Sequence, residues 1–68
     1  MTISEFFKEF RDSQIYDIVI YDCDDDTEYF TTTDDIEQDF KKEFLDNAEI
    51  VNWYIRDNTF NLDVVEGR

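Results

Sequence analysis

The 68-residue chain has no histidine and no proline, and a single cysteine. Its only glycine, Gly67, stands one residue from the end. Each absence closes a class of chemistry. Without histidine, the usual neutral-pH acid–base group and the commonest metal imidazole are missing, and a serine or cysteine nucleophile has no imidazole to activate it. One cysteine without histidine cannot supply a tetrahedral zinc site, and Cys23 has no disulfide partner within the chain, which favours a reducing, cytoplasmic setting. A phosphate-cradling loop needs internal glycines, and there are none. No apolar run reaches the roughly 18 residues of a membrane span, and no basic start leads into an apolar stretch, so no signal peptide and no membrane association are expected. These absences argue against an enzyme and against any cofactor.

Basic residues are also scarce: six against nineteen acids, a formal net charge of −13. Yet the chain carries twelve aromatics, seven of them phenylalanine. High charge alone would suggest disorder, whereas this aromatic load suggests a core. The combination predicts one folded domain, residues 1–68, with a negative coat. Such a small core leaves roughly 3–5 kcal/mol of net stability, and crowded like charges work against it. Urea midpoints should therefore rise between low and high sodium chloride as screening sets in; a flat series would contradict this.

Hydrophobic periodicity changes several times along the chain. Thr2 and Glu5 match a capping box, and Ile3, Phe6, Phe7 and Phe10 recur on one face of a first helix ending near Asp12-Ser13. Ile15 to Asp22 reads as a strand with Tyr16, Ile18 and Ile20 inward. A polar turn, Cys23 to Thr27, leads to a second strand, about Glu28 to Thr32, expected to bury Phe30. A second helix opens at Asp34, where Asp34, Asp35, Glu37 and Asp39 suit the positive end of the helix dipole. Its stripe is Ile36, Phe40, Phe44, Leu45 and Ala48, and Asn47 is its terminator. Val51, Trp53 and Ile55, then Phe60, Leu62 and Val64, mark two closing strands, with Asp57-Asn58 as a turn that tolerates positive φ. The order α-β-β-α-β-β predicts an α+β fold: a four-stranded, mainly antiparallel sheet with two helices on one face. The uncovered face would present Val19, Tyr21, Tyr29, Ile50 and Tyr54, a surface suited to a homodimer or another partner.

The densest acidic run is Asp22, Asp24, Asp25, Asp26 and Glu28. Its D-x-D-x-D opening resembles the start of the calcium loop of EF-hand proteins, but Thr27 occupies the place of the required glycine and Thr33 that of the bidentate glutamate. A solvated hairpin turn is the plainer reading, calcium binding the sharper one, and no metal ligand set is assigned.

Acids also line the start of the second helix at Asp34, Asp35, Glu37 and Asp39. Alternate residues on an extended segment stand roughly 6.6 Å apart, of the same order as the spacing of backbone phosphates on a nucleic acid strand. In size, charge and cysteine poverty the chain resembles the DNA-mimic inhibitors of phages and mobile elements, including anti-restriction and anti-CRISPR proteins. That resemblance implies a cytoplasmic inhibitor that does not bind nucleic acid itself. Its partner would be a basic nucleic-acid-binding protein, such as a host defence nuclease, met by the two acidic clusters. The alternatives are charge that serves solubility alone and a self-associating module that uses the tyrosine-bearing sheet face.

Overall fold

A computed structural model describes residues 1–9 and 14–66 of the chain. The elements follow as α1 (Ile3–Glu9), β1 (Asp17–Asp22), β2 (Thr27–Thr32), α2 (Ile36–Asp39), α3 (Lys42–Asn47), β3 (Glu49–Arg56) and β4 (Thr59–Val65). The fold is α+β: among the described residues, one four-stranded sheet and three short helices. The expected place of Phe10 in the first stripe and the Asp12-Ser13 terminator lie outside the described residues.

α1 begins as its sequence dictates. The Thr2 amide donates to Glu5 Oε1 at 2.9 Å and the Glu5 amide donates to Thr2 Oγ1 at 3.2 Å, so two otherwise orphaned donors are satisfied reciprocally. Glu5 is consequently held below the ordinary carboxylate range, chiefly by these hydrogen bonds.

The sheet order is β2-β1-β4-β3. Each hairpin is antiparallel, but β1 and β4 meet in parallel at the centre, with Ile18 opposite Phe60 and Ile20 opposite Leu62. The sheet is thus mixed, and the expectation of a mainly antiparallel sheet is corrected at its middle. The two strands richest in inward aliphatics take the two central positions. Ile18, Ile20, Phe60, Leu62 and Val64 are all buried and form the core with Ile3, Phe6, Ile36, Leu45 and Ala48 from the helices. One face of the sheet is therefore covered, as expected, and the other is open.

Further expectations are corrected. The second helix is two helices, because Phe40 (φ −125°, ψ 144°) is extended and so is Lys41 (φ −66°, ψ 143°). The break lets the Phe40 ring meet Tyr29 edge-on at 5.6 Å and stack on Phe44 at 5.4 Å. It also interrupts the like-charged i, i+4 series Asp35, Asp39, Glu43 that an unbroken helix would align. The first residue flanking α2 is Asp35, with no side-chain cap, not Asp34.

Phe30 is not buried; it is 71% exposed. It faces Val19 across the open side of the sheet, while its neighbours Tyr29 and Thr31 turn toward the core. The first strand is also shorter than read, since β1 starts at Asp17 and Ile15 precedes it, exposed.

The closing hairpin turns at Asp57 (φ 51°) and Asn58 (φ 63°), both left-handed as their residue types allow. Asn58 does more than turn the chain: its Oδ1 accepts from Gln14 Nε2 at 2.8 Å and its Nδ2 donates to the Ile15 carbonyl at 3.4 Å. Asn58→Ala should lower stability by about 1–2 kcal/mol through the left-handed backbone alone, plus the lost bonds. Asn58→Gly loses the same side-chain bonds but keeps the backbone at ease, so the difference between the two urea midpoints isolates the cost of the left-handed backbone.

Candidate functional site

The turn between β1 and β2 is built by its own aspartates. Asp22 follows Ile18 and Ile20 in alternation, so it points to the covered face and is 1% exposed. Its Oδ1 accepts the Asp24 amide at 3.0 Å, which shapes the bend. Asp24 in turn accepts the Glu66 amide at 2.8 Å, and the Cys23 amide donates to the Val64 carbonyl at 2.8 Å. Asp26 adopts φ 54° and accepts the Tyr21 hydroxyl. Three of the acids expected to meet a partner therefore have structural duties, and Asp22 is corrected from a surface residue to a buried one.

The hydrogen bond to Asp26, with desolvation second, pushes the Tyr21 phenol up to about 12. The raised value favours the neutral form, so its stabilising contribution is complete below the ordinary phenol value of about 10 and disappears as pH climbs through about 12. Ultraviolet titration should show Tyr21 ionising in that range, and Asp26→Asn should bring it down toward the ordinary value. Cys23 is exposed, yet its thiol is raised, first by desolvation and then by Asp63 and Asp22. A thiol held protonated is a poor nucleophile.

Beside the turn lies an open cleft of about 620 Å³. Asp25 from the turn, Asp39 from the end of α2 and Glu66 after β4 line it, with Asp22 at its floor. Between these acids stand Tyr29, Phe30, Phe40 and Phe44, and among the described residues Lys41 is its one basic lining residue. Asp22, Asp25 and Glu66 each bring a carboxylate oxygen within 4.8 Å of the others. Their mutual repulsion, led by Asp22 and then Asp25, raises the Glu66 carboxyl above its ordinary value. Asp39 accepts the Thr31 hydroxyl at 2.7 Å.

Among the described residues, ion pairs join only Met1 to Glu49, Lys42 to Asp46 and Arg56 to Asp57. Asp25, Asp39 and Glu66 have no cationic partner there. The remaining sequence-derived residues fall elsewhere. Asp34, Asp35 and Glu37 are exposed at the opposite end of β2, and Glu37 borders a separate hollow with Lys8. Glu28 lies on the open sheet face opposite Tyr21.

The expected tyrosine-bearing face is only partly assembled. Val19, Tyr21 and Tyr54 belong to it, but Tyr29 and Ile50 pack against the core. Phe30 takes the place expected of Tyr29.

Glu66 was not among the sequence-derived candidates. It reaches the cleft because β4 runs parallel to β1, with Asp22 opposite Val64, and no local signal in the sequence announces that pairing. No helix among the described residues is long and apolar enough to cross a membrane. Comparison with family models, with curated proteins and with solved structures returned no match for this chain.

Proposed function

We propose that the chain is a non-catalytic acidic binding protein that occupies the basic nucleic-acid-binding surface of another protein. An inhibitor of a host defence nuclease, of the kind made by phages and mobile elements, is the functional class that this reading favours. The observation that carries it is the convergence of Asp25, Asp39 and Glu66 from three separate segments around one aromatic-lined cleft. Carboxylates that have no cationic partner among the described residues suit the arginines and lysines of a nucleic acid groove, through charge-assisted hydrogen bonds. The rings of Phe30, Phe40 and Phe44 add faces on which a guanidinium can stack. Because the acids are held in the β1–β2 turn, at the end of α2 and directly after β4, their positions are set before binding, which limits the ordering entropy that a disordered acidic tail would lose.

The test is capture of partners from a bacterial lysate at low and at high salt, followed by competition with duplex DNA. A basic nucleic-acid-binding protein retained only at low salt and displaced by DNA supports the reading. Capture that ignores both salt and DNA counts against it.

The grouping of Asp22, Asp25 and Glu66 favours a divalent cation as the second reading, since hard cations take oxygen ligands. Calcium titration followed by NMR separates the two. Shifts confined to Asp22, Asp25 and Glu66 would support the cation.

A further inference from the structure

The edge of the sheet at β3 is chemically unlike the rest of the molecule. Ile50–Arg56 is the longest stretch of the chain without an aspartate or glutamate, in a protein with nineteen of them. Its helix-side residues Trp53 and Ile55 are apolar, the open side carries Asn52, Tyr54 and Arg56, and its large side chains are unusually open: Val51 is 59% exposed, Trp53 47%, Tyr54 51% and Ile55 49%. Trp53 and Ile55 lie on the helix side, opposite Leu62 and Phe60, but among the described residues the helices leave them about half exposed. Phe6 meets the Trp53 ring edge-on at 5.0 Å and leaves half of it in solvent.

Part of the backbone of this strand also points away from β4, without a partner among the described residues. The two-residue turn at Asp57-Asn58 makes Arg56 and Thr59 the hydrogen-bonded pair that closes the hairpin. Alternation then makes Tyr54–Asn61 the next bonded pair, and directs the N–H and C=O of Trp53 and Ile55 away from β4. Ile50 confirms the alternation beyond the bulge, for its outward amide donates to the Met1 carbonyl at 2.8 Å. The bridge between Thr2 and Glu49 covers the start of the edge and stops there. Folded proteins ordinarily protect such an edge with charge or proline. The opposite edge, β2, carries Glu28 and is flanked by Asp26 and Asp34. β3 carries charge only at its ends, Glu49 and Arg56, and a bulge between Ile50 and Asn52, so 53–55 is the stretch left without a guard.

We propose that β3 is a dimerisation edge, and that its occupant is β3 of a second copy of this chain, added antiparallel about a two-fold axis perpendicular to the sheet. One register uses all the outward groups. Tyr54 sits opposite the second copy's Tyr54, and Trp53 and Ile55 of one copy bond the second copy's Ile55 and Trp53. Four backbone hydrogen bonds form, and the two copies make one eight-stranded sheet. On the helix side, each exposed indole covers the other copy's Ile55 side chain. On the open side, the two Tyr54 rings lie next to each other and Arg56 meets the second copy's Asn52.

Charge favours a second copy here over any other surface of the chain. Two molecules of net charge −13 repel, and this edge is where the repelling carboxylates are fewest. The dimer joins edges and leaves the acidic cleft free, so it does not depend on the proposed inhibitory role.

The test is sedimentation equilibrium of the full chain from about 10 µM to about 1 mM. The expected result is a monomer–dimer equilibrium whose Kd falls on the order of tenfold between low salt and about 0.5 M sodium chloride. Ile55→Lys should weaken it by more than about thirtyfold, while Phe30→Lys, on the open face, should change it less than about threefold. A chain that stays monomeric throughout overturns the proposal. So does a dimer that Phe30→Lys dissolves and Ile55→Lys does not, which would place the contact on the sheet face. If Ile55→Lys fails to fold, oxidation of the double variant Cys23→Ser, Tyr54→Cys decides. A disulfide-linked dimer is expected from the opposed position 54; Cys23→Ser with Phe30→Cys should give none, and the reverse outcome overturns the register.

Discussion

Phe60→Ala is expected to leave the chain unfolded in dilute buffer at room temperature. Phe60 is fully buried at the centre of the sheet, and its ring meets Phe6, Phe7 and Tyr16 edge-on at 5.7, 5.8 and 5.0 Å. Removing a buried aromatic ring costs about 3–5 kcal/mol, from lost transfer energy and from the cavity that incomplete relaxation leaves. A core of this size supplies roughly that much net stability in total. Loss of amide dispersion in the NMR spectrum would register the outcome. Phe30→Ala is the matched control, since the same ring is lost from an exposed position and the midpoint should move by less than about 0.5 kcal/mol. If the Phe60 variant unfolds cooperatively near the wild-type midpoint, the core has been placed wrongly.

The second large effect concerns recognition. Reversing Asp25, Asp39 and Glu66 to lysine takes the formal charge from −13 to −7 and puts three cations around the cleft. Against a basic partner recovered at low salt, the affinity should drop by more than about a hundredfold, with much of the loss in the association rate. Reversing Asp34, Asp35 and Glu37 changes the net charge equally but touches none of the cleft. That variant should lose far less, on the order of tenfold, through the general field alone. Equal losses from the two triple variants would show that net charge, and not the cleft, governs binding.

Tyr29 and Phe30 show why the candidate surface was only partly legible. Two large aromatics stand next to each other in the strand Thr27–Thr32, so one must face the core and the other solvent. Local alternation is satisfied either way. The register Ile20 opposite Tyr29 decides, and it is set by the four-residue turn whose shape depends on Asp22, Asp24 and Asp26. Asp22 misleads for a related reason: an aspartate in an acidic run reads as solvated, but strand parity carries it inward and the Asp24 amide meets it there.

What the sequence determines unaided is what short-range physics controls. The capping box at Thr2 and Glu5, the left-handed turn at Asp57-Asn58, the inward parity of Ile18, Ile20, Phe60, Leu62 and Val64, and the net negative charge all follow from residues a few positions apart or from composition. Only the tertiary structure decides which strands adjoin, where the second helical segment breaks and which acids meet. Parallel pairing of β1 with β4 joins residues about forty positions apart, and its free energy comes from burying two apolar faces together, a property of the pair that neither strand shows alone. Glu66 reaches the cleft, and Trp53 is left on an open edge, as consequences of that one pairing.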